Sequence, residues 1–298
     1  MDREQWLLAR RQGIGSSDAA AVCGVNPWSP ALEVYLDKIG QLPLDRPMTE
    51  PMRLGVLFEP VVAAMYEDRT GCRLEKPPTM ILQHPAIPWM LASLDRIIQG
   101  VNAVVEIKIA GIRQADEWGE PGTDEVPEHY LVQVNHQLAV TGYEFAEVAV
   151  LIAGQDFRTY HIHRNETLIN EIVRVEAEFW GHVQRREPPE PDWDHDATPR
   201  VIKAMHGFTG PEIEVDDSFA DLVGDYQRLG EDGRSAEKAR EIVKAKILLA
   251  MGDASAARLP DRTLVTRKKV TVGTHEVKEF SYPKIHVHAP KLKKVRTA

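Results

Sequence analysis

The sequence predicts an α/β fold: a mixed central sheet flanked by helices, followed by a C-terminal helical hairpin and a basic, strand-like tail. Three observations predict it. Apolar residues recur at helical spacing in residues 49–69 and 166–186. Between them, from residue 72 to 163, short runs rich in β-branched and aromatic residues are broken by Pro and Gly. Beyond residue 200, Phe219, Leu222, Val223, Tyr226 and Leu229 mark one amphipathic helix, and Ala239, Ile242, Val243, Ile247 and Ala250 a second, with a turn at Gly230–Gly233 between them.

In chain order, a helix is expected over residues 3–12 and a short one over 17–23, ended by Gly24. Another starts at Ser29-Pro30 and ends at Gly40, with Pro in the first turn and Gly just past the end. The helix over 49–69 contains Pro60, which is expected to kink it. Residues 72–76, 79–83, 89–98 and 103–109 read as strands of one sheet. Pro127 opens a helix that runs to Gly142, and 145–152 and 157–163 are two more strands. The Pro- and acid-rich stretch 187–198 reads as a boundary, dividing the chain into domains 1–190 and 200–298. The basic end has strand-like pieces at 263–272 and 276–282, separated by Gly273.

With 298 residues, 43% hydrophobic and 27% charged, the chain has the composition of a soluble globular protein. Its length permits a core that needs no covalent staple. The two cysteines, Cys23 and Cys72, have no paired metal-ligand spacing. No leader-like apolar segment and no run of 18 apolar residues occurs, so no signal peptide and no membrane span are expected. The formal net charge of −9 hides an asymmetry. Residues 258–298 carry eleven Lys/Arg against three Asp/Glu, a net of +8, which leaves −17 on the rest. A basic end on an acidic body suits either a phosphate-contacting element or a solvated tail.

The strongest chemical signal is Ser93-Leu94-Asp95 followed by Val104-Val105-Glu106-Ile107-Lys108. Glu106 and Lys108, two apart on a hydrophobic strand, point to the same face. Asp95 precedes Glu106 by eleven residues across a turn at 100–102, which suits two adjacent strands of a hairpin. Two carboxylates then converge beside one ammonium. Phosphodiester hydrolysis uses that set: a hard cation polarises a phosphoryl oxygen and acidifies a water, and Mg²⁺ takes carboxylate and carbonyl oxygens. Asp95, Glu106 and the backbone carbonyl of Ile107 are the candidate ligands, and Lys108 the group that orients water or offsets charge. Taken alone, the same spacing also suits a solvated edge-strand pair. Glu59 follows three apolar residues on the preceding helix and is either a further site carboxylate or a boundary salt bridge. Tyr130, Gln133 and Gln137 form a polar stripe at helical spacing.

Several ordered segments resemble the YqaJ-like viral recombinase family of the PD-(D/E)xK nuclease superfamily, which includes phage lambda exonuclease. They are IGSSDAAAVCGVNPWSP, RLGVLFEP, HPAIPWMLASLDRII, VVEIKIA, YLVQVNHQLAVTG and EFWGHV, and they cover about residues 10–190. The resemblance implies Mg²⁺, with Mn²⁺ as a substitute, held by Asp95, Glu106 and the Ile107 carbonyl. Glu59 would assist at the metal, Lys108 would help activate water, and Gln133 would support it. It implies that Arg10 and Ser17 hold the 5′-terminal phosphate of DNA; Arg11, next to Arg10, is the alternative. Ser17 also opens an expected helix, where free N–H groups favour an anion.

The implied activity is 5′-to-3′ exonucleolytic degradation of linear double-stranded DNA, leaving 3′ single strands for phage-type recombination. Double-stranded DNA ends, a homo-oligomer (a trimer in this family), a single-strand annealing protein and a cytoplasmic setting in a bacterial host, with phage or prophage origin, are implied the same way. The region beyond residue 200 extends past the shared core. The rival readings are a structure- or sequence-selective endonuclease with the same core, and a non-catalytic DNA-end binding module. Asp192, Asp194, His195 and Asp196 read as a solvated linker rather than a metal cluster. His286 and His288 read as solvent-facing. Trp28 and Trp118 are candidates for stacking on bases, and Trp180 for the core. The run Arg267-Lys268-Lys269 is expected to form one arm of a β-hairpin along a DNA backbone, the competing reading being a subunit contact with the acidic body of a neighbouring copy.

Overall fold

The computed structural model describes residues 2–205, 210–231, 237–272 and 280–288. They form two compact units, Met1–Asp192 and Trp193–Ala298.

The first unit opens with α1 (Arg3–Arg10), whose N-terminus is closed by a capping box between Asp2 and Gln5. Strand β1 (Ile14–Gly15) leads directly into α2 (Ser16–Val22), one residue earlier than the sequence suggests. Then come α3 (Ala31–Lys38), which starts behind Pro30, and α4 (Glu50–Thr70), which runs unbroken through Pro60 and ends at Gly71 with φ 72°.

The strands that follow do not form one sheet, and this corrects the expectation above. The segment 89–98 is two strands, β4 (Met90–Ala92) and β5 (Arg96–Ile98), in different sheets. β4 pairs with β1 in parallel and with β3 (Leu82–Gln83) antiparallel. β5 pairs with β2 (Leu74–Glu75) and with β6 (Ala103–Ala110). Local polar chemistry makes the break. The Ser93 hydroxyl donates to the Met80 carbonyl, and the Asp95 carboxylate accepts the Ile107 N–H at 2.8 Å, so side chains replace the ladder there.

After β6 and a 3-10 helix (Ile112–Glu117) that left no mark in the sequence pattern, α5 (Glu128–Thr141) crosses back to β7 (Phe145–Ile152). β6 and β7 are parallel, and parallel neighbours need such a crossover. β8 (Asp156–His163) and α6 (Glu166–Arg185) complete the unit. The five-stranded sheet has the order β2-β5-β6-β7-β8. One face packs Val104, Ala110, Val148, Val150, Tyr160 and Ile162 with residues of α2, α5 and α6. The other packs Ala103, Val105, Ile107, Ala149 and Leu151 against Val62, Ala63 and Tyr66 of α4. Strand alternation therefore puts Glu106 and Lys108 on the α5 face, where Val104 and Ala110 bracket them.

The second unit contains α7 (Thr198–Met205), β9 (Gly210–Glu214), α8 (Asp217–Glu231), α9 (Glu237–Met251), β10 (Ala254–Arg258), β11 (Leu264–Val272) and β12 (Phe280–His288). α8 and α9 pack on one another as the expected helical hairpin, although 232–236 in its turn lie outside the described residues. The strands form a sheet of order β12-β11-β10-β9. The expected strand at 276–282 falls partly outside the described residues, as do Gly273 and the side chains of His286 and His288. α7, β9 and β10 were not anticipated. One expectation is corrected here. Arg267 does not face outward with Lys268; alternation along β11 turns it inward, and its guanidinium donates to the Gly252 carbonyl at 2.9 Å. Arg258, also counted in the basic end, pairs with Glu212 at 2.6 Å. In the 192–196 stretch, Asp196 pairs with Lys238 at 2.6 Å.

Candidate active site

The register of the hairpin builds the site. Arg96 pairs with Val105 across the antiparallel β5–β6 ladder, so Asp95 arrives beside Glu106 as β5 begins. The Ile107 N–H is turned to the Asp95 carboxylate at 2.8 Å. In an extended strand the carbonyl of the same residue faces the same edge, so the Ile107 oxygen looks toward Asp95 as well.

Glu106 is buried, 3% exposed, and every partner it has is a donor. The Lys108 ammonium donates to its Oε1 at 2.6 Å, Gln133 Nε2 to the same oxygen at 2.5 Å, and Gln137 Nε2 to Oε2 at 2.7 Å. Lys108 also donates to Gln133 Oε1 at 3.1 Å and lies 4.7 Å over the Tyr130 ring. The polar stripe of α5 thus faces the strand carboxylate. A carboxylate has about four lone-pair sites, so these three donors leave Glu106 room for a cation.

Charge state follows from placement. Burial, then the neighbouring Glu106, pushes the Asp95 carboxyl up to about 8, against the opposing pull of Lys108 and the Ile107 N–H. Burial works against the Lys108 ammonium, yet Glu106 and Asp95 outweigh it and hold the lysine above its ordinary value. Lys108 is therefore a fixed cation rather than a base. Asp95, Glu106 and the Ile107 carbonyl offer only oxygens, the donor chemistry of a hard divalent cation.

Glu59 approaches from α4 and meets Arg96. The guanidinium lies 2.5 Å from Glu59 Oε1 and 2.5 Å from the Asp95 backbone carbonyl. Among the described residues no three His, Cys, Asp or Glu side chains are placed together to hold one ion. Nothing in the local residue pattern singles out Arg96, because its partner lies 37 residues away. Gln137 had been legible only as part of a stripe.

A second cluster sits at the N-terminus. Arg10 donates to the Ser17 hydroxyl at 2.8 Å, touches Asp18 at 3.4 Å and lies 4.9 Å over the Trp6 ring. Burial alone would raise the Asp18 carboxyl, but Lys38, at 2.7 Å, and Arg10 outweigh it and bring it down to about 2. Arg11 is committed elsewhere, to Asp37 at 3.0 Å and the Leu42 carbonyl at 2.7 Å. The cluster is tied to β4 by the Ile14 N–H, which donates to the Trp89 carbonyl at 2.7 Å. A side chain at Gly13 would put a Cβ 2.3 Å from that carbonyl oxygen, so only glycine fits.

Of the other candidates, Trp118 is not available to stack on a base, because it is buried. His136 is fully buried, between Glu176 at 2.7 Å and the Leu91 carbonyl at 2.8 Å. Trp118 is core, packed on Tyr130 and Tyr160. Trp28 is 52% exposed with its edge on His129, and Trp180 is half-buried.

A mixed sheet with Asp95 at one strand's start and Glu106-x-Lys108 on the next has the PD-(D/E)xK arrangement, and the fold is of that class. More narrowly, residues 5–144 match the family model of the YqaJ-like viral recombinase domain. The uncharacterized protein YqaJ of Bacillus subtilis (strain 168) is 41% identical over 183 residues, 61% of this chain and 56% of that protein. The chain therefore spans little more than half the length of this curated relative. Among solved structures, the alkaline exonuclease LHK-Exo from Laribacter hongkongensis superposes with a TM-score of 0.50 at 21% identity, covering 62% of this chain and 94% of that one. LHK-Exo in complex with dAMP gives 0.51 at 22% identity, with the same coverage. At these identities the likeness is one of fold.

Proposed function

We propose that the chain is a divalent-metal-dependent deoxyribonuclease that degrades linear double-stranded DNA from its 5′ end and leaves a 3′ single strand for recombination. The observation that carries this reading is the meeting of Asp95, Glu106 and a permanently charged Lys108 at one edge of the sheet, under the glutamine face of α5. Only oxygen donors converge there, which suits Mg²⁺, with Mn²⁺ as substitute, on Asp95, Glu106 and the Ile107 carbonyl. When bound, the ion supplies polarisation of a phosphoryl oxygen and acidification of a water. Lys108 offers a fixed positive charge to that water or to the phosphorane-like transition state. Gln133 touches both Lys108 and Glu106 and so keeps the two in register.

Exonucleolytic action and 5′ polarity rest on the N-terminal cluster and on family likeness. Arg10 and Ser17, 2.8 Å apart at the start of α2, form a pair suited to a terminal phosphate, supplying a guanidinium fork and a hydroxyl. Arg11 is a poorer candidate because Asp37 already holds it. A homo-oligomer, a single-strand annealing partner, a cytoplasmic setting and phage or prophage origin belong to the same reading.

The test uses linear duplex DNA with 5′-phosphate, the same duplex with 5′-hydroxyl, and a covalently closed circle, each with Mg²⁺. The reading expects progressive shortening of the 3′-labelled strand on linear DNA, faster with 5′-phosphate, and an intact circle. Cleavage of the circle supports an endonuclease and defeats the end-dependent reading. Loss of the phosphate preference in Arg10→Ala with Ser17→Ala supports their assignment; equal wild-type rates on both ends remove it.

A further inference from the structure

We infer that His161 and His163 of β8 form a site for a transition-metal dication such as Zn²⁺, on the sheet face opposite Glu106. The inference stands apart from the nuclease reading, because it uses none of the residues given to that chemistry.

Strand alternation places the pair. Tyr160 and Ile162 belong to the core on the α5 face, so His161 and His163 point to the α4 face. The register sets Glu147 opposite His161 and Phe145 opposite His163. Glu147 shares its face with Ala149, which packs in the cluster against α4. The His161 side chain is 36% exposed and His163 is exposed, so both rings are open to an ion from solvent.

Glu147 prepares the first ligand. Its Oε1 lies 2.6 Å from His161 Nδ1. An ionised carboxylate only accepts, so Nδ1 carries the proton and Nε2 keeps its lone pair. This is the carboxylate–histidine pairing that orients a metal-bound imidazole and raises its basicity. His163 supplies the second ring, with its centroid 4.5 Å from that of His161 and the planes at 78°. Two imidazole nitrogens at about 2.0–2.1 Å from one ion, about 90–110° apart, put the ring centroids about 4.5–5.3 Å apart. The observed spacing lies at the close end of that range. Among the described residues no third His, Cys, Asp or Glu joins the pair, so water completes the shell.

Ligand chemistry separates this pair from the edge that carries Asp95 and Glu106. Oxygen donors there suit a hard cation. Imidazole suits Zn²⁺, Ni²⁺ or Cu²⁺. Excess Mg²⁺ therefore fills the carboxylate centre without contesting the histidines.

The experiment titrates Zn²⁺ into the full chain in excess Mg²⁺, without DNA, by calorimetry. Wild type is expected to bind a Zn²⁺ ion that Mg²⁺ does not displace. His163→Gln is expected to lose that ion, and Glu147→Gln to weaken it by roughly 10–100-fold. Asp95→Asn is expected to keep it. Circular dichroism checks that each variant is folded. Nitrogen-15 spectra of the wild-type imidazoles decide even where a variant is unfolded: Zn²⁺ should shift the ring nitrogens of both His161 and His163. No Zn²⁺ bound in excess Mg²⁺, unshifted rings, or binding that survives in folded His163→Gln overturns the inference. Loss of the ion in folded Asp95→Asn places it at the carboxylate centre and overturns the inference as well.

Discussion

Asp95 keeps its proton up to about pH 8 in the metal-free protein, because it is sheltered from water and faces Glu106. The unfolded chain releases that proton near the ordinary value of 3.8. The folded form therefore binds the extra proton between those limits. The stability this contributes is complete below the lower value and is lost as pH rises through the upper one. Thermal melts in chelator should fall across this window, and Asp95→Asn should flatten the fall. A dication replaces the proton, so Mg²⁺ affinity should rise with pH up to about 8 and binding should release a proton. Calorimetry in two buffers of different ionisation enthalpy reads that release directly. Lys108→Ala should lose cleavage by roughly 10²–10³-fold while still binding the metal, since the ammonium stabilises charge without ligating. Lost metal binding in that variant would contradict the role given to Lys108. These residue types were legible in the sequence because charge on a hydrophobic strand is costly unless used. Arg96 was not, since nothing local marks a residue whose partner comes from a distant helix.

α5 is the element that assembles the site, and a buried pair fixes it. His136 and Glu176 are both fully buried, and His136 also reaches the Leu91 carbonyl of β4. Burial alone would lower the His136 pKa, but Glu176 raises it above the usual histidine value. One turn of α5 thus holds α6 and β4 at its back while Gln133 and Gln137 hold Glu106 at its front. Breaking such a pair leaves an uncompensated buried group, so His136→Ala should cost about 3–5 kcal/mol in urea unfolding. A cost under about 1 kcal/mol, the range of a surface pair, would show that the pair does not anchor the helix. Helices with strong periodicity, α4, α6, α8 and α9, were readable, and so were β6 and β7. The split of 89–98 into two sheets was not, because it depends on Ser93 and Asp95 finding distant backbone partners. β1 is two residues long and exists only through its pairing with β4.

At the scale of the molecule, the contrast between an acidic body and a basic end remains the feature that bears on DNA approach. The structure trims it: Arg258 and Arg267 are spent inside the second unit, and Lys268 is exposed. β10 and β11 share a sheet, so removing residues 258–298 would dismantle that unit and test nothing about charge. Changing Lys268, Lys291, Lys293 and Lys294 to Gln removes charge while leaving the residues of β10 and β11 in the chain. If these lysines meet phosphates, DNA affinity should fall alike on all sequences, and the salt slope should shrink by about one per lost contact. An unchanged slope would assign the basic end another role.

The central claim is that a metal ion on Asp95 and Glu106 cuts the phosphodiester. The most direct measurement is single-turnover cleavage of a 5′-labelled linear duplex by wild type and by Glu106→Gln, each with Mg²⁺ and with chelator. Glu106→Gln preserves the size of a buried side chain and removes its charge, so folding can be checked alongside by circular dichroism. Cleavage by the wild type with Mg²⁺ alone, and by neither protein in chelator nor by folded Glu106→Gln, is the predicted result. Cleavage that persists in chelator, or in folded Glu106→Gln at a rate near wild type, would contradict it.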